Sequence, residues 1–130
     1  MKLVTFFRKL SYLMLFVCFT NAMAQTNVWT GASNNNWNNG GNWSLGEPPT
    51  AANDVVINVN ATIQVNANAT INSLTVNSSA VVSLTATGGS RTITIDNTGS
   101  SIAAGSSVTL NGSGTTRTLT IAYTGTSRTM

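Results

Sequence analysis

Short alternations of apolar and hydroxyl-bearing residues run through the second half of this 130-residue chain. The commonest unit is a four-residue phrase in which serine or threonine alternates with an apolar residue. Because successive side chains of a strand point to opposite faces, each phrase predicts a short strand with one buried face. The abundance of threonine, valine and isoleucine also favours strands over helices. The phrase occurs at Ser73–Val76, Ser83–Ala86, Thr92–Ile95, Ser107–Leu110 and Thr118–Ile121.

The same alternation predicts which side chains form the core. In the phrase Thr92–Ile95, the two isoleucines are expected to point inward and the two threonines outward. Earlier segments follow the same pattern. Their predicted inward residues are Val55, Ile57, Val59, Ile63 and Val65.

The pattern of residues 77–104 recurs at 103–130, which gives the chain an internal period of 26. A fixed period of about 20–50 residues, made of strand formers, is typical of solenoids, in which equivalent strands stack. We therefore predict an all-β fold, a right-handed parallel β-helix with a 26-residue rung. A β-sandwich is the alternative, because it also uses short, closely spaced strands. The matching pairs include Val82/Val108, Leu84/Leu110, Gly88/Gly114, Arg91/Arg117 and Ile95/Ile121.

Composition divides the chain into three segments. Residues 1–24 combine basic residues, an apolar run at 10–19 and the sequence Ala22-Met23-Ala24, which together predict a secretory signal peptide. Residues 25–53 are rich in tryptophan, asparagine and glycine and are the predicted cap, and residues 54–130 are the predicted rungs. Since 127–130 begin another strand phrase, we expect either the amino-terminal part of a longer protein or self-association through an uncapped last rung.

Charge and cysteine content restrict the chemistry. The net charge of +3 comes from the leader, because after residue 24 three arginines balance three acids. Such a chain lacks the basic surface that nucleic-acid binding requires. The single cysteine, Cys18, lies in the leader, and there is no histidine. With only Glu47, Asp54 and Asp96 as acids, we predict no catalytic residue, metal site or cofactor.

Two groups of residues are candidates for binding. Exposed tryptophans stack on sugars and asparagines bond their hydroxyls, so Trp29, Trp37, Trp43 and Asn42 are candidate glycan contacts. The favoured interpretation is that the tryptophans plug the end of the solenoid. A 26-residue rung would also stack Arg91 on Arg117, where the pair could hold a carboxylate or sulfate; solvent-facing turn residues are the favoured interpretation.

Repeated threonines suggest a further candidate. The same period would place Thr92 and Thr94 over Thr118 and Thr120. Such a ladder of hydroxyls could bind ice or crystalline polysaccharide. Outward threonines are ordinary on strands, which favours a simple surface role.

The layout Trp29-Thr30-Gly31, Trp37, Asn42-Trp43-Ser44 and Pro48-Pro49 resembles the head segment of large bacterial β-helical surface proteins and adhesins. It is most similar to secreted, multi-domain proteins of the Bacteroidetes type, and also to autotransporter-like repeat proteins. The resemblance covers about 30 residues. It implies that the three tryptophans and the phrase Asn42-Trp43-Ser44 fold over the first rung as a cap. The chain departs from the pattern in carrying asparagines where relatives often have acids, which argues against a calcium site, and in showing no sorting tail.

These observations predict a secreted structural and adhesion protein of the bacterial outer surface, without catalytic activity in this segment. Its expected partners are surface polysaccharides or host glycans, and it is expected to have no membrane span after signal cleavage. The alternative is a carbohydrate-active protein. This segment would then be the non-catalytic start of a β-helical lyase or hydrolase, or a glycan-binding module.

Overall fold

A computed structural model describes residues 23–124, so nearly all of the predicted signal peptide lies outside the described residues. These residues form ten strands and one short 3-10 helix at Gly40–Asn42. The strands are β1 (Gln25–Val28), β2 (Asn53–Ile57), β3 (Ala61–Val65), β4 (Ala69–Ile71), β5 (Ser73–Val76), β6 (Val81–Ala86), β7 (Arg91–Ile95), β8 (Ser101–Ile102), β9 (Ser107–Gly112) and β10 (Leu119–Tyr123).

The strands form three sheets, and every pairing between named strands is parallel. The first sheet has the order β1-β2-β5-β8, the second β3-β6-β9 and the third β4-β7-β10. From β2 onward, the chain visits the three sheets in turn and then begins again, and we call each such pass a rung. The prediction of an all-β fold is confirmed, and the parallel pairing differs from the antiparallel sheets of a β-sandwich.

Apolar side chains from all three sheets meet in one core. Ile63 of β3, Leu84 of β6 and Ile93 of β7 have no exposed surface, as the alternation predicted. Val59 was predicted to point inward and is instead 46% exposed. That prediction was wrong because β2 ends at Ile57, and the alternation of faces holds only while the backbone stays extended.

The register shows that successive rungs lengthen along the chain. Asp54 pairs with Ser73, an offset of 19, whereas Val82 pairs with Val108 at the predicted offset of 26. In the third sheet, Arg91 pairs with Leu119, two positions beyond the predicted Arg117. The stacking of Arg91 on Arg117 predicted from the sequence is therefore wrong, as is the threonine ladder in the form predicted.

A longer loop accounts for this shift by two positions. Four residues separate β6 from β7, and six separate β9 from β10. Gly112, at the end of β9, permits the longer loop to fold back, because a Cβ there would collide with the carbonyl oxygen of Arg117. The shift moves Ile121 from its predicted partner Ile95 to Ile93. Because a shift by two positions keeps every side chain on its face, Ile121 still packs against the core.

At the corners of each rung, where the chain passes from one sheet to the next, polar side chains form hydrogen bonds to the backbone of the neighbouring rung. The Oδ1 atoms of Asn60 and Asn68 accept hydrogen bonds from the backbone N–H groups of Val81 (2.8 Å) and Thr92 (3.0 Å). Ser100 Oγ accepts from the backbone N–H of Leu74 at 2.9 Å. These bonds occupy backbone donors where the sheet ladders are interrupted, and they fix one rung against the next.

Candidate functional site

The three tryptophans form one cluster inside the end of the fold where the chain begins. The ring of Trp43 lies between those of Trp29 and Trp37, with centroids 5.0 Å from each and interplanar angles of 79° and 72°. This edge-to-face packing is favourable for aromatic rings. None of the three is more than 4% exposed, so no ring face is open to a sugar. The structure therefore does not support a sugar-stacking role for these rings.

The cluster contains one satisfied and one unsatisfied indole N–H. Trp43 Nε1 donates a hydrogen bond to the carbonyl oxygen of Trp37 at 2.7 Å. Trp37 Nε1 is buried and has no hydrogen-bond partner among the described residues. A buried donor without a partner costs free energy of folding, so packing must outweigh that cost here.

Asn42 organises the loop that carries these rings. It is fully buried, and its Oδ1 atom accepts from the backbone N–H groups of Ser33 (3.0 Å) and Asn34 (2.8 Å). Its Nδ2 atom donates to Asn34 Oδ1 (2.9 Å) and to the carbonyl oxygen of Asn36 (2.8 Å). Because an amide side chain has two donors and two acceptor positions, the bonding capacity of Asn42 is used within the loop. Of the two roles predicted for Asn42, the structure supports the one in the cap and not the glycan contact.

The segment before β2 also covers strand edges of the first rung. Strand β1 pairs with β2 in the first sheet. In the second sheet, the backbone N–H of Gln64 in β3 donates to the carbonyl oxygen of Asn35 (2.7 Å), and the carbonyl oxygen of Gln64 accepts from the backbone N–H of Trp37 (2.9 Å). We call residues 25–52 the capped end. This segment closes two of the three sheets and supplies the aromatic filling between them.

Asn27 and Gly40 both stabilise the loop of the capped end. Asn27 is buried and pairs with Val55 in the register of the first sheet. Its Nδ2 atom donates to the carbonyl oxygen of Glu47 at 3.0 Å, and its Oδ1 atom accepts from the backbone N–H of Leu45 at 3.2 Å. A Cβ on Gly40 would collide with the carbonyl oxygen of Gly46, so the 3-10 helix and the following loop approach as closely as only glycine allows.

Arg91 and Arg117, the two predicted anion-binding residues, do not pair with each other in the third sheet. Arg91 Nε donates to the carbonyl oxygen of Thr87 at 3.1 Å, and its guanidinium lies against Gly88 and Gly89. Arg117 is exposed in the loop that precedes β10. The structure does not assemble the two guanidinium groups into a site, and Arg91 has a structural role in the loop before β7.

The outward face of the second sheet is an array of neutral polar groups that the sequence analysis missed. The register aligns Thr62, Ser83 and Thr109 in one column and Gln64, Thr85 and Asn111 in the next. Asn111 Nδ2 donates to Ser83 Oγ at 2.8 Å, which joins the two columns. Within a column, successive side chains lie about 4.8 Å apart, which is the spacing between neighbouring strands. The sequence does show the polar residues of each alternating phrase, but the loop lengths determine which of them align across neighbouring strands.

The opposite end of the fold lacks a comparable cover among the described residues. Leu110 of β9 is 43% exposed, although Leu84, its register partner in β6, is fully buried. Ile102 of β8 is 52% exposed opposite the buried Val76. Apolar residues from three sheets, including Leu74, Ile102, Val108, Leu110 and Ile121, line a hollow of about 620 Å³ there. We call this region, formed by β8, β9 and β10, the open end.

Within residues 23–124, no three side chains of the metal-ligating types are grouped so that they could hold a metal ion. Over the same range, the structure has no helix with the length and apolar composition needed to span a bilayer.

Comparison with known families places this chain in one of them. Residues 28–126 match the family described as a domain of unknown function, DUF8693, and the chain belongs to that family. Searches of curated proteins and of solved structures each found no match to the chain. The matched range begins at the last residue of β1 and continues past β10, so it covers most of the capped end and all three rungs.

Proposed function

We propose that this chain is a secreted structural and adhesion protein of a bacterial outer surface, the head of a longer β-helical, adhesin-like molecule. The observation that carries this proposal is the stacking of three rungs in parallel register, with an apolar interior and an exterior of hydroxyl and amide groups. Repetition of one rung extends a fold in a single direction, which suits a rigid protein that displays a surface away from the cell.

We further propose that the rungs wind as a right-handed parallel β-helix. The chain passes through the first, second and third sheets in constant order, and each strand pairs with its counterpart in the next rung. Connections between parallel strands are overwhelmingly right-handed, because a right-twisted strand packs back on its sheet in that sense.

The placement of the acids supports a non-catalytic role. Asp54 Oδ1, at the start of the rungs, accepts hydrogen bonds from Asn72 Nδ2 (2.6 Å) and Ser73 Oγ (2.5 Å). Asp96 follows β7 and accepts from Thr124 Oγ1 at 2.8 Å. Glu47 is exposed at the capped end. Acid–base hydrolysis of a glycoside requires two carboxylates facing one bond, whereas Asp54 and Asp96 each accept hydrogen bonds from side chains of the neighbouring rung.

Export and display are tested in the native host. Intact cells are treated with a protease that does not enter them, and loss of the protein is followed by immunoblotting. We expect the protein to be shaved from the surface and to begin at Gln25. The control is Leu15→Arg, which interrupts the apolar run of the leader and should retain the protein inside. A protein that stays protected and keeps its leader would contradict the proposal.

A glycan-binding module is the second candidate, and the neutral array on the second sheet is the observation that favours it. Amide and hydroxyl groups in fixed rows can bond successive hydroxyls of an extended, uncharged polysaccharide. The test is retention of the purified chain on insoluble polysaccharides. We expect Gln64→Ala combined with Thr85→Ala to reduce retention, and Thr70→Ala combined with Thr94→Ala, on the outward face of the third sheet, to leave it unchanged. Equal retention by both variants would contradict this candidate.

A further inference from the structure

We propose that an uncharged polysaccharide binds the neutral array of the second sheet with its chain parallel to the axis along which the rungs stack, and that Asn36 of the capped end is one of its contacts. This inference rests on the glycan-binding candidate above, and it adds the direction of the ligand and a contact outside the rungs.

The capped end adds a fourth residue to the column that contains Gln64, Thr85 and Asn111. Asn36 forms an isolated parallel bridge with Gln64. Partners in such a bridge point to the same face, and Trp37, the next residue, is buried on the inward side, so the side chain of Asn36 lies outward beside that of Gln64. One column therefore crosses the sheet from the capped end to β9.

The amide of Asn36 is available to a ligand, unlike several others in its loop. Asn34 Oδ1 accepts from Asn42 Nδ2, and Asn39 Nδ2 donates to Ser33 Oγ at 3.1 Å. The side chain of Asn36 is partly exposed and has no hydrogen-bond partner among residues 23–124. Its backbone carbonyl oxygen accepts from Asn42 Nδ2 and from the backbone N–H of Asn39. The loop therefore fixes the backbone of Asn36 and leaves its amide unpaired.

The other members of the column also keep bonding capacity. Within the described part of the chain, the side chains of Gln64 and Thr85 have no hydrogen-bond partner. Asn111 uses its Nδ2 atom on Ser83, and its Oδ1 atom remains an acceptor. Amide and hydroxyl groups can bond the hydroxyls of a sugar, which also donate and accept.

The geometry of the column favours a ligand along the stacking axis over one along a strand. Along β3 only Thr62 and Gln64 are polar and outward, and along β6 only Ser83 and Thr85. Side chains in a column lie about 4.8 Å apart, and one pyranose ring advances an extended polysaccharide by a similar distance. A chain parallel to the axis thus meets four successive polar groups, whereas a chain along either strand meets two.

The surroundings of the array favour an uncharged ligand. No charged residue occurs between Asp54 and Arg91 or between Asp96 and Arg117, and these two stretches contain β3, β6 and β9. A charged polysaccharide would lose hydration on this surface without gaining an ion pair.

The first measurement is retention of the purified, exported chain on insoluble cellulose, chitin and β-1,3-glucan. Asn36→Ala should weaken retention by about two- to tenfold, which is the effect of losing one hydrogen bond to the ligand. Asn38→Ala is the matched control and should behave as the wild type, because Asn38 is exposed in the same loop but lies beyond the bridge to Gln64. Unchanged tryptophan fluorescence would verify that both variants keep the capped end folded.

The second measurement is competition by soluble oligosaccharides of the polysaccharide that retains the chain. For the wild type, competition should strengthen with length up to about four sugar residues, the number of polar groups in the column, and then level off. For Asn36→Ala, the gain from the last of these sugars should be lost while competition by the disaccharide stays unchanged. An equal loss for oligosaccharides of every length would overturn the assignment of Asn36 as a contact.

The outcomes separate this inference from the candidate on which it rests. If the wild-type chain is retained on none of the three polysaccharides, the glycan-binding candidate fails and the inference fails with it. If retention depends on Gln64 and Thr85 but is the same for Asn36→Ala and Asn38→Ala, the candidate stands and the axial site is overturned. Selective weakening by Asn36→Ala, together with the expected dependence on length, would support the axial site.

Discussion

The capped end and the open end belong to the same three sheets, yet the capped end buries its apolar side chains and the open end leaves several of them exposed. At the capped end, Trp29, Trp37 and Trp43 are each no more than 4% exposed. Strand β1 covers the edge of one sheet, and the irregular backbone of residues 35–37 covers the edge of another. At the open end, Ile102 and Leu110 are about half exposed in positions whose partners one rung earlier are fully buried. A repeating core buries its interior rungs but does not by itself close its last one, so closure requires a non-repeating segment or a partner.

The largest expected effect is at the centre of the capped end. Trp37→Ala removes a side chain that is 1% exposed and that supports Trp43, so it should lower the free energy of unfolding by about 3–5 kcal/mol in urea titrations. Leu45→Ala, in the same segment but 38% exposed, is the control and should cost less than about 1 kcal/mol. Similar losses for both variants would show that the tryptophan cluster does not carry the stability of this end.

The two ends can be compared directly within one column of the second sheet. Leu84→Ala creates a cavity in the closed interior and should cost about 2–5 kcal/mol, whereas Leu110→Ala should cost less than half as much in dilute solution. The measurement is urea unfolding at low and high protein concentration. If the cost at Leu110 equals that at Leu84 even at high dilution, the open end is covered within a single chain.

The loop of the capped end depends on one amide. Asn42→Ala leaves the backbone N–H groups of Ser33 and Asn34 without their acceptor and should cost about 1–3 kcal/mol. Asn111→Ala removes a single hydrogen bond to Ser83 on the outer surface and should cost less than about 1 kcal/mol. Thermal unfolding of both variants tests this difference, and equal melting temperatures would contradict it.

The smallest effect is expected between the two ends, at the corner after β5. Ser78 and Ser79 both have positive φ angles, 61° and 56°, a conformation that costs a non-glycine residue about 1 kcal/mol. Ser79→Gly should therefore stabilise the fold by up to about 1 kcal/mol. Ser83→Gly, in the extended strand β6, is the control and should destabilise it by about 0.5–1 kcal/mol. Destabilisation by both glycines would show that the strain at Ser79 is compensated locally.

Predictability differed between the strands and the sites for a physical reason. Alternation identified the strands and their buried residues, such as Ile63 and Ile93, because side-chain direction in an extended backbone is a local property. The candidate pair Arg91 and Arg117 was wrong because its alignment depends on the length of the loop after β9. The hydrogen-bond partners of Asn42 inside the cap could not be predicted either, since they are set by how the loop folds back on itself.

The sequence by itself determined the all-β class, the inward face of most strands and the segment that contains the three tryptophans. These follow from periodicity and composition, which act over a few residues. Only the tertiary structure decided that successive rungs lengthen along the chain and that the tryptophan rings face inward. It alone showed that the last described rung leaves β9 at an edge. Those properties arise from contacts between residues far apart in the chain, and loop geometry sets which of them meet.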